Sequence, residues 1–125
     1  MKSAGIGVST VVAIGADPVK GTDFRELLAL FEADAETDAI VLLGEIGGND
    51  EENAAAFIAR SITKPVVAFI SGRSVPLGQN MGHAGAIASR GRGDHTTKVR
   101  ALDSAGVMVV QNNGDIPTML KALST

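Results

Sequence analysis

The sequence contains no cysteine, no tryptophan and no tyrosine, and only four of its 125 residues are phenylalanine. The lack of cysteine excludes disulfide bonds, thiolate catalysis and cysteine-ligated zinc or iron–sulfur sites. The shortage of aromatic rings and the net charge of −3 argue against nucleic-acid binding. No apolar run approaches the roughly 18 residues that span a bilayer, and the chain does not begin with a signal-peptide pattern. We therefore expect a cytoplasmic protein without membrane contact.

Acidic residues are also missing from the middle of the chain. Residues 1–52 carry eleven acidic and three basic side chains. Residues 53–93 carry no acid, and their basic residues are Arg60, Lys64, Arg73, Arg90 and Arg92. A segment with positive charge alone can raise the local concentration of an anionic ligand. The alternative is a chance gap in a small protein.

The apolar pattern predicts one domain over residues 1–125, in which strands alternate with helices. Continuous apolar runs rich in β-branched residues predict strands, and apolar residues at helical spacing predict helices. The predicted strands are Val8–Ile14, Ala39–Leu43, Val66–Ile70 and Val107–Val110. The predicted helices are Asp23–Phe31, Glu51–Ile62, Thr97–Ala105 and Ile116–Leu123. This order predicts an α/β fold, a three-layer sandwich around a parallel sheet of about four strands.

Local signals predict how two of the helices begin and pack. Thr22 or Asp23 is suited to cap the first helix, with Glu26 at the position of a capping-box partner. The second helix is expected to bury a stripe formed by Ala55, Ile58, Ala59 and Ile62. The acidic pair Glu51 and Glu52 is expected only to stabilise the first turn through the helix dipole.

Ligands of parallel α/β sheets bind beyond the carboxyl ends of the strands. This rule selects Gly15–Gly21, Gly44–Asp50 and Ser71–Gly93 as the functional edge. The third segment is long, rich in glycine and lacks periodicity, and such a loop in a compact domain tends to be functional or disordered. Its centre carries His83 between glycines, whose backbone can approach a ligand closely and whose amides can hold an anion.

A neutral imidazole attacks phosphorus readily when one ring nitrogen is protonated and the other faces the substrate. Glu45 directly follows the second predicted strand, at the same edge as His83, and could hold that proton in place. Taken alone, a single histidine in a glycine-rich loop, such as His83, is more often a packing or hydrogen-bonding residue, and Glu45 could equally be a helix cap or a solvated charge. Arg73 and Arg90 are candidates to hold phosphate by their location only. His95 is expected in a solvated turn without metal, because no second ligand lies at metal-binding spacing.

Several segments resemble, in order and spacing, the second domain of the succinyl-CoA synthetase α subunit. They are Gly44–Gly48, Lys64–Val67, Met81–Ile87, Ile14–Pro18 and Ala101–Val107, with Ala16 where the family has glycine. The same domain recurs in ATP-citrate lyase, malate–CoA ligase and ADP-forming acetyl-CoA synthetase. The resemblance covers essentially the whole chain and implies a flavodoxin-like fold.

The resemblance also implies roles for individual residues. In the family, the histidine of the Gly-His-Ala-Gly-Ala block is phosphorylated, and the glutamate of the Gly-Glu-Ile-Gly-Gly block hydrogen-bonds to it. These roles fall on His83 and Glu45. Gly82, Ala84 and Gly85 are then expected to contact the phosphate or the substrate. Phosphate would pass from an acyl phosphate to His83 and from there to a nucleoside diphosphate.

The resemblance further implies partners that this sequence does not contain. These are a CoA-binding Rossmann domain and an ATP-grasp β subunit, with CoA, ATP or GTP, Mg2+ and a small carboxylic acid in the complete enzyme. A role in the tricarboxylic acid cycle follows for a succinate enzyme. The family's first strand–helix unit also has no counterpart, so we expect a sheet short of a strand, which another chain or self-association would complete. The alternative function is a non-catalytic assembly or regulatory module of the same fold.

Overall fold

A computed structural model of the chain describes residues 5–15, 21–73 and 93–123. Its strands are β1 Ile40–Glu45, β2 Val66–Ser71 and β3 Met108–Val110, and they form a parallel sheet in the order β1-β2-β3. Its helices are α1 Phe24–Ala33, α2 Asp50–Ser61, α3 His95–Ser104 and α4 Ile116–Leu123, the last preceded by a short 3-10 helix. The predicted α/β fold is confirmed, and the bounds of these seven elements lie within two residues of the predicted ones.

The sheet has apolar side chains on both faces. On one face, Ile40 and Leu42 of β1 and Val66, Ala68 and Ile70 of β2 pack against buried residues of α1, α2 and α3. On the other face, Val67 and Val110 pack against Ile116 and Leu120 of α4. This alternation follows from the two-residue period of a strand. Burial on both faces explains why the strands read as continuous apolar runs.

The capping prediction for α1 is confirmed at Asp23. Its side chain accepts a hydrogen bond from the backbone N–H of Glu26 at 3.1 Å, which satisfies one of the free amides of the first turn. The prediction for α2 is wrong in part. Ala59 is exposed, and the buried face instead contains Ala54, which has no exposed surface. The helix is rotated toward α3 because Glu51 is buried in the same stripe.

The strand predicted over Val8–Ile14 does not form. Val11 remains 84% exposed and Val8 and Val12 are about half exposed. A strand needs a neighbour for its backbone hydrogen bonds, and none of the described residues supplies one for this segment. The sheet therefore has three strands among the described residues, where about four were expected.

Two of the basic residues that suggested an anion site lie at the amino end of the sheet. Lys64, just before β2, donates to the carbonyl oxygens of Phe31 at 2.9 Å and Asp34 at 2.5 Å. These carbonyls lie at the end of α1, where a helix lacks partners of its own. Arg60, in the last turn of α2, lies over the Phe57 ring, 5.6 Å from its centroid. Both residues thus serve the fold, away from the carboxyl ends of the strands.

No helix in the described part of the chain is long and apolar enough to cross a membrane.

Among the described residues, no strand pairs with the outer edge of β1. Leu43, within this strand, is 62% exposed. An open strand edge with an exposed leucine favours association of chains. We expect the chain to self-associate at raised concentration, and Leu43→Lys to shift the equilibrium toward monomer in analytical ultracentrifugation.

Leu30→Lys is the matched control, because Leu30 on α1 is similarly exposed, at 66%, but lies on no strand edge. Equal effects of the two substitutions would mean that association does not use the edge of β1.

Candidate functional site at the carboxyl edge of the sheet

The carboxyl ends of β1 and β2 finish side by side. Glu45, the last residue of β1, pairs in register with Ser71, the last residue of β2. The Ser71 hydroxyl donates to the carbonyl oxygen of Gly44 at 3.2 Å, which ties the two strand ends together. Glu45 itself is half-buried. The structure thus brings Glu45 to the edge at which ligands of parallel sheets bind.

The residues after Glu45 form a glycine turn that leads into α2. Gly47 and Gly48 have φ angles of 100° and 59°, a region that residues with a side chain rarely adopt. Gly44 is confined in another way, since a Cβ atom there would lie 2.8 Å from both Glu51 Cγ and Ile70 Cδ1. We call Gly44–Gly48 the glutamate loop, because its one ionisable residue is Glu45.

The glutamate loop contacts the segment before α3 through backbone atoms. The Gly47 N–H donates to the carbonyl oxygen of Gly93 at 2.8 Å. Gly93 is buried with a φ of 67°, and a Cβ atom there would lie 2.9 Å from the Gly48 carbonyl oxygen. Only glycine fits this position, both for its backbone conformation and for the contact.

The next residues begin α3. Asp94 caps the helix by accepting from the Thr97 N–H at 2.7 Å. His95 lies in the first turn, half-buried, and its Nε2 donates to the Ile70 carbonyl oxygen at 3.1 Å. Burial lowers the pKa of the His95 imidazole, and the nearby Arg73 adds to the effect, while the Ile70 hydrogen bond opposes it. The predicted solvated turn is therefore wrong. Gly93 and Asp94 have structural roles as a tight contact and a helix cap.

A buried ion cluster lies directly below the glutamate loop. The Lys98 side chain on α3 has no exposed surface, and its ammonium contacts the Glu51 carboxylate at 2.6 Å and the Glu52 carboxylate at 2.8 Å. It also donates to the carbonyl oxygen of Gly48 at 3.2 Å. Three acceptors match the three N–H donors of an ammonium group. Burial raises the pKa of the Glu51 carboxyl, although Lys98 opposes this by favouring the charged form.

Arg73 lies just beyond β2 and is exposed. Its guanidinium donates to Gln111 Oε1 at 3.2 Å, at the end of β3. Of the described basic residues in the acid-free stretch, Arg73 is thus the one at the carboxyl edge. The predicted site residues His83, Gly82, Ala84, Gly85 and Arg90 lie outside the described residues.

Sequence reasoning missed Lys98 and misjudged Glu51 as an ordinary first-turn acid. One signal was available, because Lys98 lies four residues before the buried Leu102 and so on the same helix face. Its partners are 46 and 47 residues away in sequence, which a local pattern does not reveal.

These features define a three-layer α/β domain with a candidate site at a glycine-rich edge, beyond the carboxyl ends of the strands. The family model of the CoA-ligase family matches residues 1–108, and the chain belongs to this family. Among solved structures, ATP citrate lyase from Methanosaeta concilii in complex with (3S)-citryl-CoA superposes with a TM-score of 0.78 and 29% sequence identity. That match covers 86% of this chain and 18% of the larger one.

Two curated relatives are considerably longer than this chain. Subunit SauD of the ADP-forming sulfoacetate–CoA ligase of Bilophila wadsworthia is 49% identical over 120 residues, which are 95% of this chain and 41% of the relative. The α subunit of the ADP-forming succinate–CoA ligase of Staphylococcus epidermidis is 48% identical over 116 residues, which are 93% and 38%. The chain thus spans about two fifths of the length of these relatives.

The contact at Gly93 predicts an unusually costly substitution. Gly93→Ala adds a methyl group against the Gly48 carbonyl oxygen in a left-handed backbone conformation. We expect a loss of at least about 2 kcal/mol in the free energy of unfolding, measured with urea. Gly106→Ala is the matched control, since Gly106 has a φ of 86° but nothing within 4 Å of the added Cβ. Its loss should be about 1 kcal/mol, from strain alone. Equal losses would contradict the tight contact.

The ion cluster predicts a pH-dependent effect. Lys98→Met leaves the Glu51 carboxylate buried beside Glu52 without its cation, and we expect about 3 kcal/mol of destabilisation near neutral pH. Burial already raises the pKa of the Glu51 carboxyl above its ordinary value of 4.5, and Lys98 opposes this by favouring the charged form, so removal of Lys98 raises the pKa further and folding of the variant favours the protonated form more strongly. The loss should therefore grow as pH rises through the raised pKa and shrink as pH falls toward 4.5. A loss that is constant with pH in urea titrations would show that Glu51 charge is not the cause.

Proposed function

We propose that this chain is the phosphohistidine-bearing domain of an acyl-CoA ligase of the succinyl-CoA synthetase type. His83 is the phosphoryl carrier and Glu45 is the carboxylate that orients its ring. One observation carries the proposal. Two residues that flank residues 74–92, Ser71 before them and Gly93 after them, contact the glutamate loop. Ser71 donates to the Gly44 carbonyl oxygen, and the Gly93 carbonyl oxygen accepts from the Gly47 amide. Described residues on both sides of the segment that contains His83 thus contact the glutamate loop.

The proposed reaction has two phosphoryl transfers. In the first, the unprotonated ring nitrogen of His83 attacks the phosphorus of an acyl phosphate; a P–N bond forms, the P–O bond to the acyl group breaks, and the carboxylate leaves. In the second, a terminal oxygen of a nucleoside diphosphate attacks the same phosphorus, and the P–N bond breaks. The imidazole is regenerated, and both steps run in either direction.

Glu45 would act on the other ring nitrogen. A carboxylate that accepts its N–H fixes the tautomer and compensates the positive charge that the ring gains on phosphorylation. The backbone amides of Gly82, Ala84 and Gly85 are the proposed donors to the phosphate oxygens. Arg73 is a second candidate from its position at the same edge.

The complete enzyme needs parts beyond this chain. We assign CoA to a Rossmann domain and ATP or GTP to an ATP-grasp β subunit, with a small carboxylic acid as substrate and the cytoplasm as location. Among residues 5–15, 21–73 and 93–123, no three His, Asp or Glu side chains gather as metal ligands. We therefore assign Mg2+, which would offset phosphate charge, to the nucleotide-binding partner.

Chemical phosphorylation tests the proposal without partner proteins. Phosphoramidate transfers its phosphoryl group to imidazole nitrogen and releases ammonia, so the full chain can be treated with it and analysed by 31P NMR and mass spectrometry under alkaline conditions. The chain has two histidines. We expect His83 to be labelled faster than His95, and His83→Asn to remove this fast phase. Glu45→Gln should slow labelling of His83 at least about tenfold.

His95→Asn is the matched control, and it should leave the fast phase intact. Equal labelling of both histidines, with no effect of Glu45→Gln, would favour the alternative, a non-catalytic module of the same fold. The measurement separates the two functions, because a module that only assembles has no need of an activated imidazole.

A further inference from the structure

The glutamate loop has few side chains with which to hold its own shape. Three of its five residues are glycine, and two of these have positive φ angles. Besides the buried Ile46 side chain and the Ser71 hydrogen bond to Gly44, two contacts with the segment Gly93–Lys98 hold the loop from outside. One contact is the backbone hydrogen bond from Gly47 to Gly93, and the other is the hydrogen bond from the Lys98 ammonium to the Gly48 carbonyl.

The ion cluster is a poor choice if its task is stability alone. Burying the charged groups of Lys98 and Glu51 carries a desolvation cost, which Glu52, at 23% exposed, largely avoids. Apolar residues of similar volume often stabilise a core as well or better. Lys98 nevertheless has no exposed surface. An apolar side chain at this position would fill the space but could not donate to the Gly48 carbonyl oxygen. Lysine at this position therefore supplies two things that an apolar residue cannot: the cation for Glu51 and Glu52, and the donor to the Gly48 carbonyl oxygen.

The two carboxylates complete this arrangement. Glu51 and Glu52 are both in the first turn of α2, immediately after the glutamate loop, and both contact the same ammonium. They hold the ammonium from the helix side, while Gly48 holds it from the loop side. Lys98 thereby fixes the angle at which the chain leaves β1, passes Glu45 and enters α2.

We infer that Lys98 is a positioning residue, whose ammonium fixes the glutamate loop through the Gly48 carbonyl and thereby holds the Glu45 carboxylate at the site. The inference rests on the proposed role of Glu45. Lys98 does not touch the reacting atoms. Its removal should reduce the reactivity of His83 by displacing Glu45, in addition to any loss of stability.

The test compares four variants of the full chain: Lys98→Met, Lys98→Arg, the double variant Glu51→Gln with Lys98→Met, and Val110→Ala. The double variant removes the buried carboxylate of Glu51 and leaves only that of Glu52, which is 23% exposed, so it should regain stability without regaining the bond to Gly48. Val110→Ala, in the core on the α4 side of the sheet, destabilises the chain away from the site. Each variant is assayed under folding conditions for its phosphoramidate labelling rate at His83 and for the amide NMR shifts of Gly47 and Gly48.

We expect Lys98→Met and the double variant to slow His83 labelling about tenfold, and to shift the amide resonances of Gly47 and Gly48. Lys98→Arg, which can still donate to the same carbonyl, should recover most of the rate. Val110→Ala should label at the original rate. In a chain that already carries Glu45→Gln, Lys98→Met should cause no further loss, because both changes act through the same carboxylate.

Two results would overturn the inference. One is a double variant with the original labelling rate and unchanged Gly47 and Gly48 resonances, which would leave Lys98 a structural role only. The other is a further tenfold loss in the Glu45→Gln chain, which would mean that Lys98 acts by another route. If His83 shows no fast labelling in any variant, the proposed function fails, whereas the amide shifts still report whether Lys98 holds the loop.

Discussion

The site depends on one close approach between two glycine-rich segments. The Gly47 amide donates to the Gly93 carbonyl, and no side chain fits between Gly93 and the Gly48 backbone. The Lys98 ammonium also links the two segments, by donating to the Gly48 carbonyl oxygen. These contacts join the end of β1 to the start of α3. The position of Glu45 is therefore set by backbone contacts and buried charge, together with the packing of the neighbouring Ile46 side chain, which is 2% exposed.

The two ends of the sheet have different tasks. At the amino end, Lys64 satisfies the last carbonyls of α1, and the Glu32 carboxylate accepts hydrogen bonds from Thr63. These contacts satisfy backbone groups of the helix and the turn. Lys64 belongs to the acid-free stretch, which the sequence pattern alone would assign to an anion site. At the carboxyl end, charges meet glycine backbone instead. Whether a basic residue of the acid-free stretch can contribute to an anion site therefore depends on the end of the sheet at which it lies.

Most of the fold was predictable from the sequence, because apolar periodicity and capping residues are local signals. Thr22 or Asp23 was predicted to cap α1, and Asp23 does so. The apolar runs predicted that β1 and β2 end at Leu43 and Ile70, within two residues of the observed ends at Glu45 and Ser71. The segment Val8–Ile14 was predicted wrongly, since the same β-branched pattern gives no strand without a neighbour. Lys98 was missed because a charged side chain is expected to be exposed, and its buried partner Glu51 is distant in sequence. The placement of His83 stays a prediction.

Ionic strength should affect the two ion-pair systems of this domain very differently. The pair between Asp23 and Arg25 is on the surface, with the arginine side chain 52% exposed, and dissolved ions weaken such an exposed pair. The ammonium of Lys98 has no contact with solvent, so dissolved ions cannot approach it. The contact between Lys98 and the glutamate loop should thus change little between dilute buffer and concentrated salt.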